Sequence, residues 1–349
     1  MGINYKFWKN KKVLITGHTG FKGSWLCIYL HFLGAKIIGY ALKPNKNQKL
    51  FKILKIQKFI YKNYYGNIQN KNNLEKIIKK EKPEIIFHLA AQSLVINSFI
   101  NPLQNFKTNL MGTVNLLEII RKLRYVRSVV FVTSDKCYKI NKIKDKYKET
   151  DELGGTDPYS CSKACAEILV NSYRKTFFNN SKLNIATARS GNIIGGGDLN
   201  QNRLLPDIFK SIINKKKLQI RNINHTRPWL FVLDSLTGYL VLAEKNFKNK
   251  KYATAWNFAP NQNKSVKDIV NYAIKKKLIK NYTLQKNSQN IETSKLHLNS
   301  NKSKKQLNWK TKLSFFETLN YTFDWYNSFL KKKNMYIETL KQIQKYIKI

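Results

Sequence analysis

The stretch Val13-Leu14-Ile15-Thr16-Gly17-His18-Thr19-Gly20-Phe21-Lys22-Gly23-Ser24-Trp25 decides the fold. Val13–Thr16 reads as an apolar strand. Glycines at 17, 20 and 23 follow it at once. Glycine permits a sharp turn and lets backbone come close to a pyrophosphate. A helix from Ser24 to Leu33, stopped by Gly34, would then aim its first amides at the phosphates. A glycine pattern alone is weak evidence. A strand before it, a helix after it and a place near the N-terminus make it a dinucleotide-binding turn. Gly17, Thr19, Gly20, Phe21, Lys22 and Gly23 are the expected contacts.

Outward from this turn, short apolar runs alternate with helical periods. Strands are expected at Lys36–Tyr40, Glu84–Leu89, Ser128–Thr133 and Asn184–Arg189. Helices are expected at Leu74–Lys80, Thr113–Lys122 and Ser162–Phe178. This alternation predicts an α/β fold, a Rossmann-type doubly wound parallel sheet with helices on both faces. After about residue 195 the alternation breaks down, and Pro206, Pro228 and Pro260 punctuate the chain. The expected division is a dinucleotide-binding domain over 1–190, with a segment near 230–258 returning to it. A smaller C-terminal α/β substrate-binding domain would span 191–330. A lysine-rich tail over 331–349 would be a surface helix or frayed.

Composition narrows the class. The chain has 349 residues, 42% of them hydrophobic, enough for a sizeable core. No run of about eighteen uncharged apolar residues argues for a membrane span. The polar start leads directly into a strand too short for a signal-peptide core, so a cytoplasmic location is expected. The formal charge of +44 comes from lysines dispersed from end to end. A nucleic-acid protein would gather them in an aromatic-studded stripe. The charge instead favours anionic small ligands. Cysteines stand at 27, 137, 161 and 165. Cys161 and Cys165 share a helical spacing, but no further Cys or His cluster completes a metal site, so none is expected.

Two further motifs carry chemistry. In Tyr159-Ser160-Cys161-Ser162-Lys163, tyrosine and lysine four apart share a helix face. An ammonium nearby would lower the phenol pKa, so Tyr159 could take a proton from a sugar hydroxyl while Lys163 bonds a nicotinamide ribose. Thr133-Ser134-Asp135-Lys136-Cys137-Tyr138 lies at the carboxyl end of a strand, where open α/β sheets bind ligands. Asp135 and Lys136 are an adjacent acid and base there. Leu89, Ala90, Ala91 and Gln92 follow another strand and would lie over the cofactor. Thr108 opens the next helix, and Ser190 and Asn192 close a later strand. Arg203, Arg221 and Arg227 are candidates for a diphosphate. The second strand ends in Gly39-Tyr40-Ala41-Leu42-Lys43 with no acid for a ribose hydroxyl, and Asn67-Ile68 is the expected adenine contact.

The blocks GHTGFKGSW at 17–25, HLAAQ at 88–92, TNLMGT at 108–113, VTSDKCY at 132–138, DPYSCSKACAE at 157–167, ARSGNIIGGGD at 188–198, RLLPD at 203–207, RPW at 227–229 and AWNFAP at 255–260 resemble the CDP-glucose 4,6-dehydratases. These lie within the extended short-chain dehydrogenase/reductase superfamily. The chain departs from that group by Asn67 for a usual Asp and by Leu230-Phe231 after RPW.

The resemblance implies NAD as cofactor, CDP-glucose as substrate, and a homodimer or dimer of dimers. It also implies an internal redox cycle. Tyr159 takes the C4 hydroxyl proton as hydride leaves C4, and Ser134 bonds the C4 oxygen. Lys136 removes the C5 proton, Asp135 protonates the departing C6 hydroxyl, hydride returns to C6, and a proton returns to C5. A neutral Lys136 beside Asp135 requires coupled protonation of the pair. Gln92, Asn192 and the three arginines would hold the substrate. Alternatives are a dehydratase for dTDP-glucose or GDP-mannose, a nucleotide-sugar 4-epimerase and, more remotely, a non-catalytic nucleic-acid-binding protein.

Overall fold

The computed structural model describes residues 2–45, 49–141, 145–200, 203–285 and 296–349. Its centre is a seven-stranded, wholly parallel sheet. The strands are β1 (Lys12–Thr16), β2 (Lys36–Ala41), β3 (Lys62–Tyr65), β4 (Ile85–His88), β5 (Ser128–Val132), β6 (Asn184–Ser190) and β7 (Ala255–Phe258). Their order is β7-β6-β5-β4-β1-β2-β3. The winding reverses between β1 and β4, which opens a crevice at the carboxyl ends of those two strands.

Side chains alternate across the sheet. Val13, Ile15, Ile85, Phe87, Val130 and Ala186 enter one core. Leu14, Ile86, Val129, Phe131 and Ile185 enter the core on the other face. Both faces being covered explains why β5 and β6 read as continuous buried runs.

The flanking helices are α1 (Phe21–Phe32), α2 (Lys71–Glu81), α3 (Gly112–Ile120) and α4 (Pro158–Thr176), then α5 (Leu204–Asn214), α6 (Val232–Lys248), α7 (Val266–Lys275), α8 (Phe315–Leu330) and α9 (Met335–Lys348). α1, α6 and α9 bury residues in the first core, and α2, α3 and α4 in the second. The helices begin earlier than their periodicity suggests, and at α1 and α4 this bears on the site. α1 starts at Phe21 because Gly20 turns into it, and α4 starts at Pro158 because Asp157 caps it through the Ser160 amide. Proline suits a first helical position, where its missing N–H costs nothing. Both differences place a functional residue on a helix instead of in a loop.

Past Ser190 the chain builds a smaller unit from helices and three two-stranded ribbons. Ile193–Ile194 pairs with Leu230–Phe231, Thr226–Arg227 with Lys264–Ser265, and Leu218–Ile220 with Tyr282–Leu284. Its own core gathers Ile208, Leu218, Ile269, Val270 and Leu319. Between these ribbons, α6 packs on β5 and β6, and β7 becomes the sheet's edge.

The lysine-rich end is not a loose appendage. α9 buries Met335, Thr339, Ile343 and Tyr346 while its lysines face outward. Tyr346 donates a 2.6 Å hydrogen bond to buried Asp234 of α6. Leu230 and Phe231 are likewise core residues, with Phe231 edge-on to Tyr321, so this departure from the family pattern does not reach the cleft.

Candidate active site

Two of the three glycines of the turn are packed too tightly for any side chain. Gly17 adopts φ +78°, and a Cβ there would lie 2.7 Å from the Ala90 nitrogen. A Cβ on Gly23 would lie 2.3 Å from the Gly17 carbonyl oxygen. Gly20 differs, since its added Cβ meets only Gly17 O at 3.4 Å. It caps α1 without any side-chain hydrogen bond, so the first amides of α1 have no side-chain acceptor at the cap. Tight backbone packing below and an unfilled helix start above suit the pyrophosphate of a dinucleotide.

This turn forms the floor of a cleft of about 760 Å³. Thr19, Phe21, Lys22, Asn67, Ile68, Leu89, Ala90, Ala91, Thr108 and Ser190 line it beside the three glycines. Asn67 is oriented by its own loop, where Oδ1 accepts the Gln69 amide at 3.0 Å. Ser134, Asp135, Lys136 and Tyr159 line the same cleft, as do Asn192, Arg203, Arg221 and Arg227.

Two residues expected in the site stand behind its wall. Gln92 donates to the Leu94 carbonyl and accepts from Asn105, and the lining passes from Ala91 to Ser93. Lys163 is buried one helical turn below Tyr159, with Nζ 5.9 Å from the tyrosine ring centre. Asn109, next to Thr108, braces this wall. Its side chain joins the Gln92 backbone in both directions and reaches Ser162 at 2.9 Å, tying the end of β4 to α4.

Local capping places the reactive groups. Ser134 caps the short turn Asp135–Cys137 through the Lys136 amide and donates to Asp135 Oδ1 at 2.9 Å. A Cβ on Gly191 would fall 2.5 Å from Pro228 Cγ and 3.0 Å from Asp135 Oδ2, so glycine there leaves room for the proline ring and the carboxylate. Burial raises the Asp135 pKa above its ordinary value, against the opposing pull of Lys136, the Ser134 hydroxyl and Arg227. Burial also raises Tyr159 to about 12, with the Asp135 charge adding to it, while a Ser134 hydrogen bond and Arg203 oppose the rise. The expected lowering by Lys163 is therefore not what governs this phenol in the free chain. Lys163 itself is lowered to about 8 by burial and then by Lys22.

Behind the cleft, Glu167 of α4 accepts from Thr133, Thr187 and Arg189, with the Arg189 contact at 2.8 Å. Burial alone would raise Glu167, but Arg189 and the hydroxyls outweigh it and hold the carboxyl below its ordinary value. Cys161 and Cys165 are reduced, with sulfurs 4.0 Å apart. Among the described residues, no cluster of three metal-ligating side chains exists, and no helix is long and apolar enough to cross a membrane.

The sequence model of the GDP-mannose 4,6-dehydratase family matches residues 14–322. The chain belongs to this family. A CDP-glucose 4,6-dehydratase from Salmonella typhimurium is 37% identical, covering 99% of this chain and 98% of that one. A dTDP-D-glucose 4,6-dehydratase from Dictyostelium discoideum is 32% identical over 76% of this chain and 62% of its own length. The dTDP-glucose 4,6-dehydratase of Bacillus anthracis, solved in complex with NAD, superposes with a TM-score of 0.78 at 25% identity, covering 93% and 98% of the two chains.

Proposed function

We propose that the chain is an NAD-dependent hydro-lyase that converts CDP-D-glucose to CDP-4-dehydro-6-deoxy-D-glucose and water. The convergence of Tyr159 with Ser134, Asp135 and Lys136, on one cleft floored by the glycine turn, carries the reading. A 4-epimerase uses the tyrosine but needs no acid and base for loss of the C6 hydroxyl. The full-length likeness to the Salmonella enzyme favours CDP-glucose.

Bound NAD supplies the hydride acceptor for sugar C4 and the hydride donor for C6. The chain's residues move the protons. Tyr159 rests protonated because burial holds it near 12. Ser134 and Arg203 favour its ionised form and assist its action as base on the C4 hydroxyl. Asp135, raised by burial, is suited to deliver a proton to the departing C6 hydroxyl. Lys136 is the base at C5, beside an acid that favours keeping its own proton.

Ile100, Leu103 and Met111 lie exposed on the segment before α3, and Ile168 lies exposed on the neighbouring α4. This apolar face suits a second copy of the chain, in the cytoplasm.

The deciding test is turnover of CDP-glucose, dTDP-glucose and GDP-mannose with and without added NAD, followed as 4-keto sugar. CDP-glucose is expected to lead. Faster turnover of dTDP-glucose would reassign the substrate, and absence of 4-keto product from all three would overturn the dehydratase.

A further inference from the structure

The loop Gly195-Gly196-Gly197-Asp198 is held by aromatic side chains from both ends of the sequence. Trp25 of α1 donates its indole N–H to the Gly196 carbonyl at 2.9 Å. Trp325 of α8 lies so close that a Cβ on Gly196 would fall 2.1 Å from its ring. Tyr326 donates to the Asp198 carbonyl at 2.7 Å. Gly197 takes φ +84° against Leu50, a place and a conformation that exclude other residues. Trp325 is fixed in turn by Thr339 of α9 at 2.9 Å. All three aromatic side chains are buried. The Asp198 backbone is therefore clamped by elements that contribute nothing to proton transfer.

The side chain of Asp198 carries this order into the cleft. Oδ1 accepts from the Asn200 amide and side chain, and Oδ2 accepts from Arg203 Nη1 at 2.7 Å. Asp198 is 4% exposed, whereas the Arg203 side chain keeps 32% of its surface. A long arginine loses much rotamer freedom when it binds an anion. A carboxylate that orders it beforehand removes part of that cost.

We infer that Asp198 is a positioning residue that presents the Arg203 guanidinium to the diphosphate of the nucleotide sugar, and that Trp325 and Tyr326 keep Asp198 in place. This rests on the proposed function, in which the cleft takes a nucleotide sugar.

A double-mutant cycle tests it on the full chain with NAD present. The readouts are the Kd of cytidine diphosphate by calorimetry, and KM and kcat for CDP-glucose. Asp198→Ala and Arg203→Ala should each weaken the diphosphate about tenfold, the scale of one lost charged hydrogen bond. In Asp198→Ala, which keeps the Arg203 charge, KM should rise with kcat nearly held; in Arg203→Ala kcat should fall as well, because the cation that assists Tyr159 is lost. NAD affinity should move in neither. The double variant should bind no worse than Arg203→Ala alone. Additive losses would overturn the inference, because Asp198 would then act independently of Arg203. Trp325→Ala should reproduce the rise in KM, and Trp325→Phe, which keeps a ring on Gly196, should largely restore it. Unchanged diphosphate binding in Asp198→Ala, with a wild type that binds, overturns this inference alone. A wild type that binds no nucleoside diphosphate overturns the proposed function and this inference with it.

Discussion

Asp135 and Tyr159 are both shifted toward their protonated forms by burial, yet they are assigned opposite tasks. The acid is served by that environment. The base must work against it, helped by Ser134 and Arg203. Two outcomes follow. Asp135→Asn should stop release of water after C4 oxidation, so reduced nicotinamide accumulates by absorbance while 4-keto-6-deoxy product falls at least about a hundredfold. Lys136→Ala should abolish solvent-deuterium exchange at C5, and undiminished exchange with undiminished turnover would remove its role as base. The sequence made most of these residues legible because their relations are local. Asp135 and Lys136 are adjacent, and Tyr159 and Lys163 are one helical turn apart. What it could not give was their electrostatics. Spacing predicts that Lys163 lowers Tyr159, whereas in the fold burial raises it, outweighing the Ser134 hydrogen bond.

At the scale of elements, α4 carries Tyr159 and must be fixed against the strands that carry Asp135. Glu167 does this by bonding Thr133, after β5, together with Thr187 and Arg189 of β6. The Arg189–Glu167 pair is almost wholly buried, at 4% and 2% side-chain exposure. Glu167→Ala leaves a buried guanidinium without its counter-charge and should cost about 3–5 kcal/mol, measured as a lower urea midpoint. Arg189 lies near the end of β6, and its partner is 22 residues away. No local pattern reports such a pairing. Gln92 illustrates the same limit. Its block implied a place over the ligand, and its side chain is used to join the loop to Asn105 and the Leu94 carbonyl.

The whole molecule is closed by its C-terminal helices, and Asp234 gives that closure a pH dependence. Burial raises its carboxyl to about 6, against the Tyr346 hydroxyl and the Lys312 and Leu313 amides. A raised folded value means the folded chain holds a proton that the unfolded chain has lost between about pH 4 and 6. The associated stability is complete below the unfolded value and lost as pH rises through about 6, to the extent of roughly 3 kcal/mol. Asp234→Asn should remove this component, so its urea midpoint should gain on wild type from pH 4 to pH 7. An unchanged difference would show that Asp234 does not titrate in the fold. At the surface, the proposed self-association through α4 predicts that Ile168→Lys, on its exposed face, sediments as a monomer without unfolding, and an unchanged sedimentation coefficient would remove this face from the proposal.

The sequence by itself determined the features that depend on near neighbours along the chain. These are the glycine turn after a strand, the alternation that buries both faces of a parallel sheet, and the tyrosine–lysine spacing. They follow from backbone geometry with fixed periods of two and 3.6 residues. Only the tertiary structure decided that Ala255–Phe258 pairs with β6 as the edge strand, and that a lysine-rich end docks through Tyr346 on Asp234. It also brought Trp25 and Trp325 together on one glycine loop, and Asp198 to Arg203. Such contacts join residues far apart in the chain. They depend on which apolar surfaces remain to be covered once the sheet has formed, and that is a property of the packed molecule.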